Sequence, residues 1–117
     1  KSTVPYPAEM SKIRTVRDAD HFRDLVASPN LTVFIFSATW CGPCREIADE
    51  LDRLSLHYHP DVTFAKVDAD DNEDILVKCR VAVLPTFMMV RDGVQVGFAV
   101  GADMEDLKME LQLHTLP

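Results

Sequence analysis

The sequence is poor in the features that mark membrane, nucleic-acid-binding and disulfide-rich proteins. No apolar run approaches the ~20 residues that a bilayer span requires, and the longest, residues 33–36, is typical of a buried strand. The net charge of −7 argues against binding to nucleic acid or to anionic membrane surfaces. Three cysteines are an odd number, which excludes a fully paired disulfide framework. What remains is one globular domain of 117 residues, whose acidity suits a monomer.

The first nine residues lack the hydrophobic periodicity of the rest, and two prolines flank Tyr6. They contain no apolar segment of the kind that secretory signals carry. We therefore predict that residues 1–9 are a cloning scar or a disordered extension, with Met10 as the natural start and the domain at 10–117. The missing signal favours a reducing compartment, which we take to be the cytoplasm. A close cysteine pair there is catalytic, redox-sensing or metal-binding rather than structural.

Hydrophobic periodicity and turn residues predict nine elements in the order β-α-β-α-β-α-β-β-α. The predicted strands are 13–16, 31–37, 62–67, 85–90 and 94–100; the helices are one capped by Asp18 or Asp20, one at 41–59, a short one with Ile75 and Leu76, and one capped by Asp103. Early alternation requires parallel strands, and the Asp92-Gly93 hairpin requires an antiparallel pair. The prediction is an α/β fold with a mixed five-stranded sheet flanked by about four helices.

A pair of cysteines, Cys41 and Cys44, lies where the second predicted strand gives way to the long helix. A thiol is a nucleophile only as a thiolate, and the free N–H groups of a helix N-terminus favour a negative charge. Gly42 permits a tight turn, and the fixed φ of Pro43 fits the first helical turn. Two intervening residues place Cys44 within reach of a mixed disulfide on Cys41. This pattern predicts dithiol–disulfide chemistry.

A Cys-x-x-Cys pair is open to two other interpretations. A Cys-x-x-Cys pair is also half of a zinc site, but Cys79 and the four histidines form no second pair at ligand spacing, so no metal is expected. Inert buried thiols are the other alternative, and a helix N-terminus is a poor place for them. Redox chemistry therefore remains the favoured interpretation.

The segment from Ser37 to Arg45, Ser-Ala-Thr-Trp-Cys-Gly-Pro-Cys-Arg, resembles the active-site segment of thioredoxins, including their Gly-Pro dipeptide. Residues 64–68 resemble the third strand of that family, residues 83–87 its cis-proline loop, and residues 93–101 its terminal hairpin. The similarity extends from about residue 13 to 113, so the resemblance implies the thioredoxin fold for nearly the whole chain.

The resemblance implies a general protein disulfide reductase without a bound cofactor. Cys41 would attack the target disulfide as nucleophile, and Cys44 would resolve the mixed disulfide. A thioredoxin reductase using NADPH would restore the dithiol, and peroxiredoxins or ribonucleotide reductase would be typical targets. A cis bond before Pro85 would face the sulfurs, with a trans proline as the alternative. Target binding is expected at an apolar patch formed by Trp40, Gly42, Pro43, Leu84, Pro85 and Gly101, unless Trp40 belongs to the core.

Some positions depart from the family pattern. Thioredoxins typically carry a buried aspartate where this chain has Ile35, and a helix-kinking proline where it has Asp49, so the kink is expected to be missing or softened. Lys66 resembles the usual neighbour of that aspartate and should reach for solvent or for Asp68. Cys79 is expected to be a buried small hydrophobe, with a regulatory or dimer-forming thiol as the alternative.

Two rival functions remain. One is a thioredoxin-fold adaptor that binds partners through the same groove without turnover; a disulfide-turnover assay distinguishes it. The other is an oxidase or isomerase of an oxidising compartment, which the Gly-Pro dipeptide and the missing signal disfavour. A measured reduction potential distinguishes that second rival.

Overall fold

This computed structural model describes residues 10–117, which contain five strands and five helices. The prediction for residues 1–9 lies outside the described residues. In chain order the elements are β1 (Arg14–Thr15), α1 (Ala19–Val26), β2 (Leu31–Ser37), α2 (Gly42–Glu46), α3 (Ala48–Tyr58), β3 (Val62–Asp68), α4 (Glu73–Lys78), β4 (Thr86–Arg91), β5 (Val94–Val100) and α5 (Met104–His114).

The strands form one mixed sheet in the order β1-β3-β2-β4-β5. β1, β2 and β3 are parallel, whereas β4 is antiparallel to both β2 and β5. The central strand β2 is buried along its first six residues, because helices cover both of its faces. The predicted α/β fold with a mixed five-stranded sheet is confirmed.

Two apolar cores lie on the two faces of the sheet. On one face, α3 and α5 pack against the sheet through side chains such as Leu51 and Leu107. On the other face, α1 and α4 pack through Leu25 and Ile75. Since the helices hold both faces of β2, the carboxyl end of that strand is a rigid base for the segment that follows it.

Side-chain caps start the first and last helices where the sequence predicts them. An oxygen of Asp18 accepts a hydrogen bond from the His21 N–H (2.8 Å), and Asp103 accepts one from the Asp106 N–H (3.1 Å). Each bond satisfies a donor that the first helical turn leaves free. Of the two residues proposed to cap α1, Asp18 is the one that does so.

The predicted helix at 41–59 is in fact two helices, and the expectation of a missing or softened kink was wrong. The break is at Ile47, whose φ and ψ of −100° and 0° separate α2 from α3. Ile47 is buried in the core on the α3 and α5 face of the sheet. Asp49 and Glu50 follow in the first turn of α3. Acidic residues stabilise a helix N-terminus, so this sequence starts a new helix without proline.

Candidate active site

The two motif cysteines are joined in a disulfide at the start of α2. Cys41 is the residue that caps the helix, and its Sγ accepts a hydrogen bond from the Cys44 N–H at 3.2 Å. A donor aimed at a sulfur favours the charged form of the corresponding thiol. The effect of a helix dipole on a nearby charge falls off within about one turn. The N-terminus of α2 can therefore stabilise a negative charge on Cys41 even though the long helix is split at Ile47.

Cys41 is slightly less exposed than Cys44 in this disulfide form. The exposed fractions are 5% for Cys41 and 8% for Cys44. The two residues also differ in their surroundings, since Cys41 lines a groove on one side of the disulfide and Cys44 lines a pocket on the other.

The first of these spaces, here called the Trp40 groove, has a volume of about 740 Å³. Its lining residues are Trp40, Cys41, Gly42, Pro43, Ala69, Asp70, Glu73, Leu76, Val77, Val81, Ala82 and Leu84. Trp40 is 65% exposed, so the alternative that it belongs to the core is wrong. Its Nε1–H donates to the Asp70 carboxylate at 3.0 Å, which fixes the ring as a wall beside Cys41.

The expected cis-proline loop is present. The Leu84–Pro85 peptide bond is cis, and the Gly101 N–H donates to the Pro85 carbonyl at 2.8 Å. Gly101 has a φ of +88°, a conformation that glycine adopts readily. Leu84 lines the Trp40 groove, Pro85 lines the pocket beside Cys44, and Gly101 lines neither space. Of the six predicted target-binding residues, four therefore meet in one groove, and the other two, Pro85 and Gly101, do not line it.

The second space, here called the Cys44 pocket, has a volume of about 330 Å³ and lies on the opposite side of the disulfide. It is lined by Ile13, Ile35, Ser37, Ala38, Thr39, Cys44, Arg45, Ile47, Ala48, Leu51, Asp52, Lys66, Asp68 and Pro85. Ile35 pairs in register with Lys66 on β3. The Lys66 side chain is exposed, as expected for a lysine without a carboxylate at position 35.

Cys79 lies at the end of α4 and is half-buried rather than buried as expected. It packs against the core on the α1 and α4 face. Burial raises the pKa of its thiol, and the nearby Lys78 opposes this rise in part. A raised thiol pKa lowers the thiolate fraction at neutral pH, which is typical of an unreactive cysteine.

Neither a metal cluster nor a membrane span is found in residues 10–117. Within that range no three or more His, Cys, Asp or Glu side chains are grouped as they are in a metal site. No helix there is long and apolar enough to cross a bilayer.

Sequence reasoning missed seven of the twelve residues that line the groove. They come from the loop after β3, from α4 and from the segment that follows α4: Ala69, Asp70, Glu73, Leu76, Val77, Val81 and Ala82. The available signal was topological, because the carboxyl ends of β2 and β3 are adjacent in the sheet and the loops that follow them meet.

A disulfide at a helix start, beside a cis-proline loop on a mixed sheet, defines a dithiol–disulfide oxidoreductase. The family model described as Thioredoxin matches residues 12–112. The chain is 34% identical over 101 residues to mitochondrial thioredoxin-3 of Saccharomyces cerevisiae, covering 86% of this chain and 79% of the relative. The chain belongs to the thioredoxin family.

Solved structures agree with this assignment. A crystal structure of thioredoxin from Trypanosoma brucei brucei superposes with a TM-score of 0.86 and 37% identity, covering 95% of this chain and 97% of the other. A second chain belongs to a structure on the thiol-resolving mechanism in yeast mitochondrial 1-Cys peroxiredoxin via glutathione and thioredoxin systems. It superposes with a TM-score of 0.81 and 35% identity, covering 87% of this chain and 97% of the other. The protein is a protein-disulfide oxidoreductase with a redox-active cysteine pair.

Proposed function

We propose that this protein is a general protein disulfide reductase in which Cys41 attacks the target and Cys44 resolves the mixed disulfide. The observation that carries the proposal is the placement of the two sulfurs. Cys41 lines the open Trp40 groove, whereas Cys44 lines the smaller pocket behind it. A target disulfide approaching through the groove meets Cys41 first.

The exchange proceeds in two balanced steps. The Cys41 thiolate attacks one target sulfur, an S–S bond to Cys41 forms, and the second target sulfur leaves as a thiolate that takes up a proton. Cys44 then loses its proton and attacks the sulfur of Cys41, which releases the first target sulfur as a thiolate. The target gains two electrons, and the Cys41–Cys44 disulfide stores the oxidising equivalents.

Repeated turnover needs an electron donor outside this chain. We infer that a thioredoxin reductase using NADPH supplies the two electrons, and the membership of the chain in the thioredoxin family supports this inference. Peroxiredoxins and ribonucleotide reductase are the targets that fit this role. The similarity to a chain from a structure on a yeast peroxiredoxin supports the first of them.

The compartment and the oligomeric state are part of the same proposal. We propose that the protein is a monomer, because a net charge of −7 opposes self-association. We further propose that it acts in the cytoplasm. The similarity to a mitochondrial thioredoxin makes the mitochondrion the alternative that cell fractionation has to test.

The test is NADPH consumption in the presence of thioredoxin reductase and insulin, whose disulfides serve as a protein substrate. Sustained consumption that depends on this protein is the expected result, and the Cys41→Ser/Cys44→Ser double variant is the control. If dithiothreitol supports turnover but the reductase does not, the inferred donor is wrong. If neither donor supports turnover above the background of free dithiol, the adaptor interpretation replaces the reductase.

A further inference from the structure

The Trp40 groove is acidic, unlike the pocket on the other side of the disulfide. Apart from Cys41, its ionisable lining groups are the carboxylates of Asp70 and Glu73. The Cys44 pocket, in contrast, has the cations Arg45 and Lys66 beside its carboxylates. The two approaches to the disulfide therefore differ in charge.

No cation neutralises the acidic groups of the groove within residues 10–117. The ion pairs there involve neither Asp70 nor Glu73. Asp70 accepts only from the Trp40 indole and Glu73 is exposed, so both carboxylates can contact a bound partner. Five of the seven residues at 68–74 are acidic, and Lys78 and Arg80 at the other end of α4 do not line the groove. A negative potential at this site attracts cationic segments.

The rest of the groove is largely apolar, and some of its apolar side chains are exposed. Leu76, Val77, Val81 and Leu84 line it together with Trp40, and Val77 is 78% exposed. An exposed apolar surface rimmed by charge is typical of a protein-binding site. The groove also includes Cys41, so a target segment bound there lies beside the cysteine that we propose to attack its disulfide.

We propose that the Trp40 groove selects target segments that carry a lysine or arginine together with an apolar residue beside the disulfide. The apolar side chain covers Val77 and Leu76, and the cation pairs with Glu73 and Asp70. This inference rests on the proposed function, because it specifies the class of substrate that the same disulfide reduces.

The test compares two synthetic peptides with an intramolecular disulfide and one flanking leucine, which differ only in a flanking Lys-Lys or Glu-Glu pair. The rate constant for reduction by the pre-reduced protein is measured by acid quench and chromatography. We expect the lysine peptide to react about tenfold faster at low ionic strength, with a ratio that falls as salt is added. With the Glu73→Lys variant, the ratio of the rate constants for the lysine and glutamate peptides should be close to one.

The matched control is Glu105→Lys, since Glu105 is an exposed acid on α5 that does not line the groove. It changes the net charge by the same amount and should leave the ratio high. Glu73→Gln provides a milder test if Glu73→Lys does not fold. Equal rates for both peptides, or an equal effect of Glu105→Lys, would overturn the groove proposal alone. Failure to reduce either peptide would instead overturn the proposed function.

Discussion

Replacing Ile35 by aspartate tests how Cys44 loses its proton. Ile35 is 1% exposed in the middle of β2 and lines the Cys44 pocket. It has no proton to exchange, so resolution by Cys44 should depend on water or on another base. The pocket of about 330 Å³ has room for several waters, given roughly 30 Å³ for each. The Ile35→Asp variant adds a titratable group beside the resolving thiol.

The variant should be folded but less stable. Truncating a buried isoleucine costs about 2–5 kcal/mol of unfolding free energy. Desolvation should raise the pKa of the new carboxyl, and the Lys66 ammonium on the rim should oppose this rise. Because the pKa of this carboxyl is higher in the folded protein, the unfolded chain loses the carboxyl proton at a lower pH than the folded protein does. Stability is therefore greatest below the unfolded pKa of about 3.9 and falls by about 1.4 kcal/mol per pH unit up to the folded pKa.

Ile35→Asn is the matched control, because the asparagine side chain has nearly the same shape as aspartate but does not titrate. Denaturant unfolding between acidic and neutral pH should show the fall in stability for Ile35→Asp only. In single-turnover reduction of a protein disulfide, Ile35→Asp should be faster near neutral pH and show an additional ionisation that the parent and Ile35→Asn lack.

The result that would refute this reasoning is a folded Ile35→Asp variant with the same rate and pH profile as the parent. Ile35 would then be a packing residue only, and the proton of Cys44 would need no carboxyl in this protein. An extra ionisation that also occurred in Ile35→Asn would contradict the assignment of that ionisation to the new carboxyl.

Three further predictions concern stability and thiol reactivity. Thr32→Val should raise the free energy of unfolding by about 1 kcal/mol in denaturant titration, because the buried Thr32 Oγ1 has no hydrogen-bond partner in residues 10–117; a loss would contradict this. Asp18→Ala should lower the same quantity by about 1 kcal/mol through loss of the α1 cap, whereas the exposed Asp24→Ala should not. Iodoacetamide at neutral pH should modify Cys79 more slowly than Cys41 in the reduced protein, as mass spectrometry can show, and equal rates would argue against its raised pKa.

The sheet was predictable because its strands carry strong local signals. The bounds of β2 and β5 match the prediction exactly, since a continuous apolar run and an Asp-Gly turn define them independently of the rest of the chain. The disulfide motif was predictable for the same reason, because its residues are neighbours in sequence.

The parts that were missed depend on contacts distant in sequence. The break at Ile47 coincides with burial of that side chain in the core on the α3 and α5 face of the sheet, which helical periodicity alone does not indicate. The acidic side of the Trp40 groove arises because α4 packs beside the motif, about thirty residues away along the chain.

Trapping of the mixed disulfide tests the central claim most directly. The reduced Cys44→Ser and Cys41→Ser variants are each mixed with an oxidised protein substrate, and the adducts are identified by intact mass and peptide mapping. The placement of Cys41 in the Trp40 groove predicts a stable adduct on Cys41 in the Cys44→Ser variant and little adduct with Cys41→Ser. A predominant adduct on Cys44, or none with either variant, would contradict the account.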